Sequence, residues 1–248
     1  MAPVSAILLD IEGTTTSIRF VHEILFPFAR THMSAFLVER WGDPAVQADV
    51  AGLLLQQQAD SATLPSVTSP LAGADAATRR AAALNCALRH MDLDRKTTAL
   101  KSLQGKIWEA GYATGELKAD VFDDVPDALA RWTAAGLAVA IYSSGSVPAQ
   151  RLLFGHTHRG DLTPHLSAFF DTTTGPKQER ASYARIAEAL GLAPEAVLFA
   201  TDVVEEALAA RAAGMRAVIM DRPGNAPQPP HDFEVWADFS AFDPTQTA

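Results

Sequence analysis

Residues 4–15 read Val4-Ser5-Ala6-Ile7-Leu8-Leu9-Asp10-Ile11-Glu12-Gly13-Thr14-Thr15, and the rest of the chain can be organised around them. A short apolar run stops at a carboxylate, a second carboxylate stands two positions on, and a glycine and threonines follow. Such a run, without polar alternation, predicts a strand buried on both faces, as in a parallel sheet. Three later runs repeat the texture: residues 137–142 before Ser143-Ser144-Gly145, residues 196–200 before Thr201-Asp202, and residues 216–220 before Asp221. Helical patterns lie between them. Asp124 and Pro126 open a segment that runs to Ala135 and stops at Gly136. Residues 178–190 place Tyr183, Ile186, Ala187 and Leu190 on one face and stop at Gly191; residues 203–213 stop at Gly214. Strand alternating with helix predicts an α/β fold, doubly wound around a mainly parallel sheet.

Residues 16–121 have another texture. Buried-strand runs are missing and helical periodicity dominates: Leu100, Leu103, Ile107 and Ala110 share one face, and Leu84 and Leu88 stand one turn apart in the Ala-rich residues 76–91. Residues 61–73, with Pro65 and Pro70, read as a loop between helices. The expectation is an α-helical domain, residues 16–121, inserted after the first strand of an α/β core made of residues 1–15 and 122–248. Residues 223–230 read as a Pro-rich loop, and no internal repeat is visible.

Composition narrows the function. The 248 residues are 48% hydrophobic and 20% charged, ordinary for a globular protein with a real core. Cys86 is the only cysteine, which rules out an intrachain disulfide and Cys-rich zinc sites. The formal net charge of -9 repels polyphosphate, so neither nucleic acid nor an anionic membrane is the expected partner. No targeting segment or apolar stretch of membrane-spanning length is visible, and the expected compartment is the cytoplasm.

Four polar groups stand after buried strands or before helices. Asp10 and Glu12 end the first strand, where open α/β sheets bind ligands; an Asp opening an ordinary turn is the plainer alternative. Ser143 and Ser144 can offer donors to a phosphate at a helix start, though Ser-Ser-Gly is also a common loop. Lys177, in Gly175-Pro176-Lys177, can neutralise phosphate, or lie solvated on the surface. Asp202, followed by Glu205 and Glu206, can bind Mg²⁺, and can equally cap a helix with acids in its first turn.

That order of acid pair, serine, lysine and acid resembles the four motifs of the haloacid dehalogenase superfamily of phosphotransferases. Glu12 replaces the usual second Asp. That departure, the stretches LLDIEGTTTSIRFVHEILFPFA (residues 8–29), DRKTTALKSLQGKIW (94–108) and IYSSGSVPAQRLLFGH (141–156), and VVEEA after Asp202 resemble one family within it, the bifunctional enolase-phosphatases of methionine salvage, or acireductone synthases. The resemblance runs from about residue 7 to 225.

It implies a Rossmann-like, haloacid dehalogenase-like fold with an α-helical cap. It implies that Asp10 is the nucleophile, forming an aspartyl-phosphate. Asp10 and Asp202 would bind one Mg²⁺ per chain through side chains and Glu12 through its backbone carbonyl, leaving the Glu12 side chain as acid and base. Ser143, Ser144 and Lys177 would bind phosphate, and Glu206 would order the metal's waters or Lys177. The implied substrate is a small phosphorylated diketone, 2,3-diketo-5-methylthiopentyl-1-phosphate, enolised and then dephosphorylated to an acireductone by a monomeric enzyme. Residues 94–98 and Lys101 are candidates for the cap face that selects the thioether tail, or simply a charged helix start. A generic sugar-phosphate phosphatase would share every core motif and differ only in the cap. A dehalogenase needs neither Mg²⁺ nor the acid-base carboxylate. A non-catalytic phosphate-sensing module need not keep all four polar groups. Outside these motifs, His156 and His158 read as a surface pair, Cys86 as core, and Trp41, Trp108 and Trp132 as packing residues.

Overall fold

The four apolar runs form strands because each is flanked by helices that cover both faces of the sheet. A computed structural model describes residues 3–61, 73–95 and 97–243. Its strands are β1 (Ala6–Leu9), β2 (Ala138–Tyr142), β3 (Ala168–Phe170), β4 (Val197–Thr201), β5 (Arg216–Met220) and β6 (Glu234–Trp236). They make one parallel sheet in the order β3-β2-β1-β4-β5-β6. Leu9 registers with Ile141 on one side and Ala200 on the other. This sets Asp10, Ser143 and Asp202 at the same end of three adjacent strands. The strand order reverses between β1 and β4, and ligands of such sheets bind outside the carboxyl ends at that reversal.

Four helices belong to this α/β unit: α5 (Val125–Ala134), α6 (Val147–Gly155), α7 (Arg180–Leu190) and α8 (Val204–Ala212). On one face Ala6, Leu8, Ala140, Tyr142, Val197 and Phe199 pack with Tyr183, Ile186 and Ala187 of α7 and Ala209 and Ala210 of α8. Ile7, Leu9, Val139 and Ile141 are equally buried and, by the two-residue period of a strand, point the other way. Trp132 of α5 is fully buried, edge-on to Phe239 at 5.1 Å between ring centroids. Each such large side chain, taken wholly from water, contributes about 1.5–3 kcal/mol.

The remaining helices are α1 (Phe26–Glu39), α2 (Pro44–Ser61), α3 (Ala76–Asp92) and α4 (Thr98–Thr114). The Asp75 side chain caps α3 by accepting from the Thr78 N–H at 2.7 Å, and α4 ends at Gly115 with φ +74°. The buried face of α4 holds Leu100, Leu103 and Ile107 as expected, together with Gln104, Trp108, Gly111 and Tyr112, whereas Ala110 is exposed. In α3 the buried residues are Ala83, Cys86, Ala87 and His90, with Leu84 and Leu88 only half-buried. Small residues mark the buried face there because they let neighbouring helices come close.

The chain forms two compact units, Met1–Glu23 with Lys118–Ala248, and Ile24–Leu117. Residues 16–23 and 118–121, which fall within the span expected for the insert, thus belong to the α/β unit. The reason is local: Thr16 accepts from the Gly13 N–H at 2.8 Å, and the Ala119 N–H donates to His156 at 2.9 Å. The expected loop over residues 61–73 falls mostly outside the described residues. Residues 223–230 are irregular, as expected. No helix of the described residues is long and apolar enough to cross a membrane.

Candidate active site

Beyond β1 the chain must turn sharply, and Gly13 makes the turn. Its φ is +68°, and a Cβ there would collide with the Asp202 carboxylate. The N–H groups of Thr14, Thr15 and Thr16 converge on the Ile11 carbonyl at 2.9–3.2 Å. Thr15 Oγ1 donates to the Asp10 carbonyl at 3.1 Å. Asn225 Nδ2 donates to the Gly13 carbonyl at 2.9 Å, Arg222 Nε to the Thr14 carbonyl at 3.0 Å, and the Phe122 N–H to the Thr15 carbonyl at 3.0 Å. Every carbonyl from Asp10 to Thr16 therefore accepts a hydrogen bond from a described residue, except that of Glu12.

Asp10 is buried, with 5% of its surface exposed. Its Oδ1 accepts from the Ile11 N–H at 2.8 Å and from Lys177 Nζ at 2.6 Å. Lys177 Nζ also lies 2.7 Å from Glu206 Oε2, which accepts from Thr201 Oγ1 at 3.0 Å. Burial alone would lower the Lys177 pKa, but the charges of Asp10 and Glu206 outweigh it and hold the ammonium above its ordinary value. Burial, then the Asp10 charge, raises the Glu206 carboxyl against the pull of Lys177. The Asp202 carboxyl is pushed up to about 7, first by burial and then by Asp10. No side chain among the described residues forms an ion pair with Asp202. Asp10 and Asp202 thus leave negative charge that the single ammonium does not offset.

Of the residues singled out in the sequence, Asp10, Lys177 and Glu206 come into direct contact, and Asp202 lies against the Gly13 turn. Ser143 is buried, and its Oγ accepts from the Gly145 N–H at 3.3 Å; Ser144 is exposed. No hydrogen bond among the described residues joins either serine to the Asp10 cluster. The Glu12 side chain is 42% exposed, and its Oε1 lies 2.7 Å from His22 Nε2. His156 and His158 are exposed, Cys86 and Trp108 are buried, and Trp41 is half-buried.

Sequence reasoning missed His22, Arg222 and Asn225. Arg222 has the strongest local chemistry. It is 4% exposed, makes paired 2.9 Å bonds to Asp124, and lies 4.6 Å from the ring centroids of both Phe122 and Phe239. A buried guanidinium needs such a full set of partners.

The free Glu12 carbonyl and the two carboxylates make a donor set that fits Mg²⁺. That ion takes hard oxygen ligands and keeps several waters. No cluster of three or more His, Cys, Asp or Glu side chains suited to a metal occurs among the described residues, so side chains alone do not supply the set.

Residues 4–214 match the model of the haloacid dehalogenase-like hydrolases, and the chain belongs to that family. It is 51% identical to enolase-phosphatase E1 of Synechococcus elongatus over 242 residues, 97% of each chain. It is 46% identical to enolase-phosphatase E1 of Drosophila grimshawi over 241 residues, 95% of each. The crystal structure of the UTR4 protein of Saccharomyces cerevisiae superposes with a TM-score of 0.76 at 33% identity, covering 96% of this chain and 100% of that one. Within the hydrolase family the chain groups with the enolase-phosphatases E1.

Proposed function

We propose that this chain enolises 2,3-diketo-5-methylthiopentyl-1-phosphate and hydrolyses its phosphate, releasing the acireductone of methionine salvage. The observation that carries the reading is the Lys177 ammonium held between Asp10 and Glu206 at the carboxyl ends of β1 and β4. Asp10 attacks phosphorus of the enolised substrate: a bond from the carboxylate oxygen to phosphorus forms and the bond from phosphorus to the substrate's enol oxygen breaks. Oδ1 is held by Ile11 N–H and Lys177, whereas Oδ2 receives no hydrogen bond from a described residue. Glu12 gives a proton to the leaving enol oxygen of the enolised substrate and then takes one from the water that cleaves the aspartyl-phosphate. Its partial exposure and its contact with His22 leave the carboxylate able to exchange protons with solvent.

Asp10, Asp202 and the Glu12 carbonyl would hold one Mg²⁺, which supplies positive charge between the attacking carboxylate and the phosphate. Lys177 adds the charge that the phosphate needs in a chain of net charge -9. Ser143 and Ser144 supply hydroxyls at the end of β2. The enzyme works as a cytoplasmic monomer on a small phosphorylated diketone, without nucleic acid or membrane.

The test is turnover of the diketone phosphate with and without Mg²⁺, following phosphate release and the enediol absorbance together. Phosphate release at equal efficiency from simple sugar phosphates, with no enediol signal, would replace this reading with that of a generic phosphatase.

A further inference from the structure

Lys177 stands in a segment with little regular structure of its own. β3 ends at Phe170 and α7 begins at Arg180. Gly175 has φ +146°, and a Cβ there would collide with Ser182 Oγ and the Arg185 guanidinium. Pro176 has no N–H to give. Yet four successive carbonyls are each held by a side chain. Arg185 Nε donates to the Thr174 carbonyl at 2.6 Å and the Tyr142 hydroxyl to that of Gly175 at 2.8 Å. Ser182 Oγ donates to the Pro176 carbonyl at 2.7 Å, and the Tyr183 hydroxyl to that of Lys177 itself at 2.7 Å.

Tyr142, Ser182 and Tyr183 are all fully buried. Thr174, Gly175 and Lys177 are half-buried, and the Pro176 carbonyl also accepts from the Glu179 N–H at 3.1 Å; donors anchored in the core thus hold the segment to one path. Tyr142 also meets the other end of the lysine: Lys177 Nζ lies 5.8 Å from its ring centroid. Its ring is edge-on to that of Tyr183 at 5.5 Å, and Tyr183 packs on Phe199 at 5.2 Å. The lysine backbone is thereby referred to the core of the sheet and not to the surface. Lysine's four-carbon stem is flexible, so a fixed backbone origin matters for delivering its ammonium to one place.

We infer that the hydroxyls of Tyr142, Ser182 and Tyr183 are positioning groups for Lys177, fixing the carbonyls of residues 175–177 so that its ammonium reaches the phosphate beside Asp10. The inference rests on the phosphate-binding role proposed for Lys177. None of the three hydroxyls touches substrate in this scheme; each acts through the lysine. Tyr183 carries the largest share, because its hydroxyl binds the carbonyl of the lysine residue itself.

The experiment compares Tyr183→Phe, Ser182→Ala and Tyr142→Phe in the native chain and in a Lys177→Met background, with Lys177→Gln as a second background in case the first does not fold. Three quantities are read: kcat/KM for nitrophenyl phosphate with Mg²⁺, inhibition by inorganic phosphate, and Tm. In the native background Tyr183→Phe lowers kcat/KM by about tenfold and weakens inhibition by phosphate to a similar degree, because the reacting groups are misplaced and not removed. In the Lys177→Met background the same substitution changes both by less than about twofold, while the Tm falls equally in the two backgrounds.

Equal catalytic losses in both backgrounds would overturn the inference and leave the hydroxyls as packing groups. Native kinetics in all three hydroxyl variants, beside an impaired Lys177→Met, would overturn it while leaving the lysine's role intact. Native kinetics in Lys177→Met itself would remove the role of the lysine, and the inference with it.

Discussion

The turn over residues 10–16 and the segment over residues 174–177 each bring charged groups to the carboxyl end of the sheet, and they are held in different ways. The first is largely self-braced: three consecutive N–H groups share the Ile11 carbonyl, and Thr16 closes back on Gly13. Its remaining carbonyls are claimed by Phe122, Arg222 and Asn225, which leaves the Glu12 carbonyl without a donor among the described residues. The second has few backbone bonds of its own and takes its path from side-chain donors on β2 and α7. A self-braced turn suits a site where a backbone oxygen must stay open. A segment braced by side chains suits a site where only a side-chain tip must arrive. Defects in the first should therefore appear in metal binding, and defects in the second in phosphate binding.

The largest effect is expected at Asp10. Asp10→Asn should reduce phosphate release below detection while far-UV circular dichroism stays native, since the amide is nearly isosteric but a poor nucleophile. Wild-type turnover in the purified variant, free of deamidation, would remove the aspartyl-phosphate route. Glu12→Gln comes next. It should slow turnover of alkyl phosphates by about 10²–10⁴-fold, the range of a lost general acid. Because the carbonyl at position 12 is unchanged, Mg²⁺ affinity measured by calorimetry should stay within about twofold. With nitrophenyl phosphate, whose leaving group needs little protonation, a burst followed by a slow steady state is expected. Collapse of Mg²⁺ affinity would instead make the side chain the ligand.

Asn225→Ala sharpens the comparison. It frees the Gly13 carbonyl and should weaken Mg²⁺ binding by about tenfold, one unsupported buried hydrogen bond's worth. Inhibition by inorganic phosphate in the absence of Mg²⁺ should be unaffected. If the two readouts move together, the division between the two segments fails. The smallest effect is expected from His22→Ala. The Glu12 contact is 61% and 42% exposed at its two ends, so kcat/KM should fall by less than about threefold. A larger loss would make His22 an obligatory partner of the Glu12 carboxylate.

Much of this architecture is legible in the sequence, because strands buried on both faces need uninterrupted apolar residues. Residues 216–220 form a strand with the expected bounds, and the other three apolar runs form strands within two residues of theirs. β3 and β6 were not legible: three residues each, with only Trp236 fully buried, give no period to read. The Leu84 and Leu88 pair misdirects the reading of α3, because hydrophobicity favours Leu while close helix packing there uses Ala83, Cys86 and Ala87. At the site, Asp10, Asp202, Lys177 and Glu206 announce themselves by position at strand and helix ends. Arg222, Asn225, Tyr142, Ser182 and Tyr183 do not, because a side chain that binds a backbone carbonyl leaves no residue pattern at the carbonyl's own position.

The central place of β1 has a consequence for how the protein is made. Its partners in the sheet, β2 and β4, begin at Ala138 and Val197, with the whole helical unit translated before either. At ribosomal rates of about 5–20 residues per second, β1 waits roughly 10–40 s for its second neighbour. Ala6–Leu9 is an apolar strand with both edges open until β2 is made, and with one edge open from then until β4 is made. The nascent chain is thus most exposed to aggregation at the strand that carries its nucleophile, and a chaperone that shields the first dozen residues would raise the yield of active protein more than one acting later.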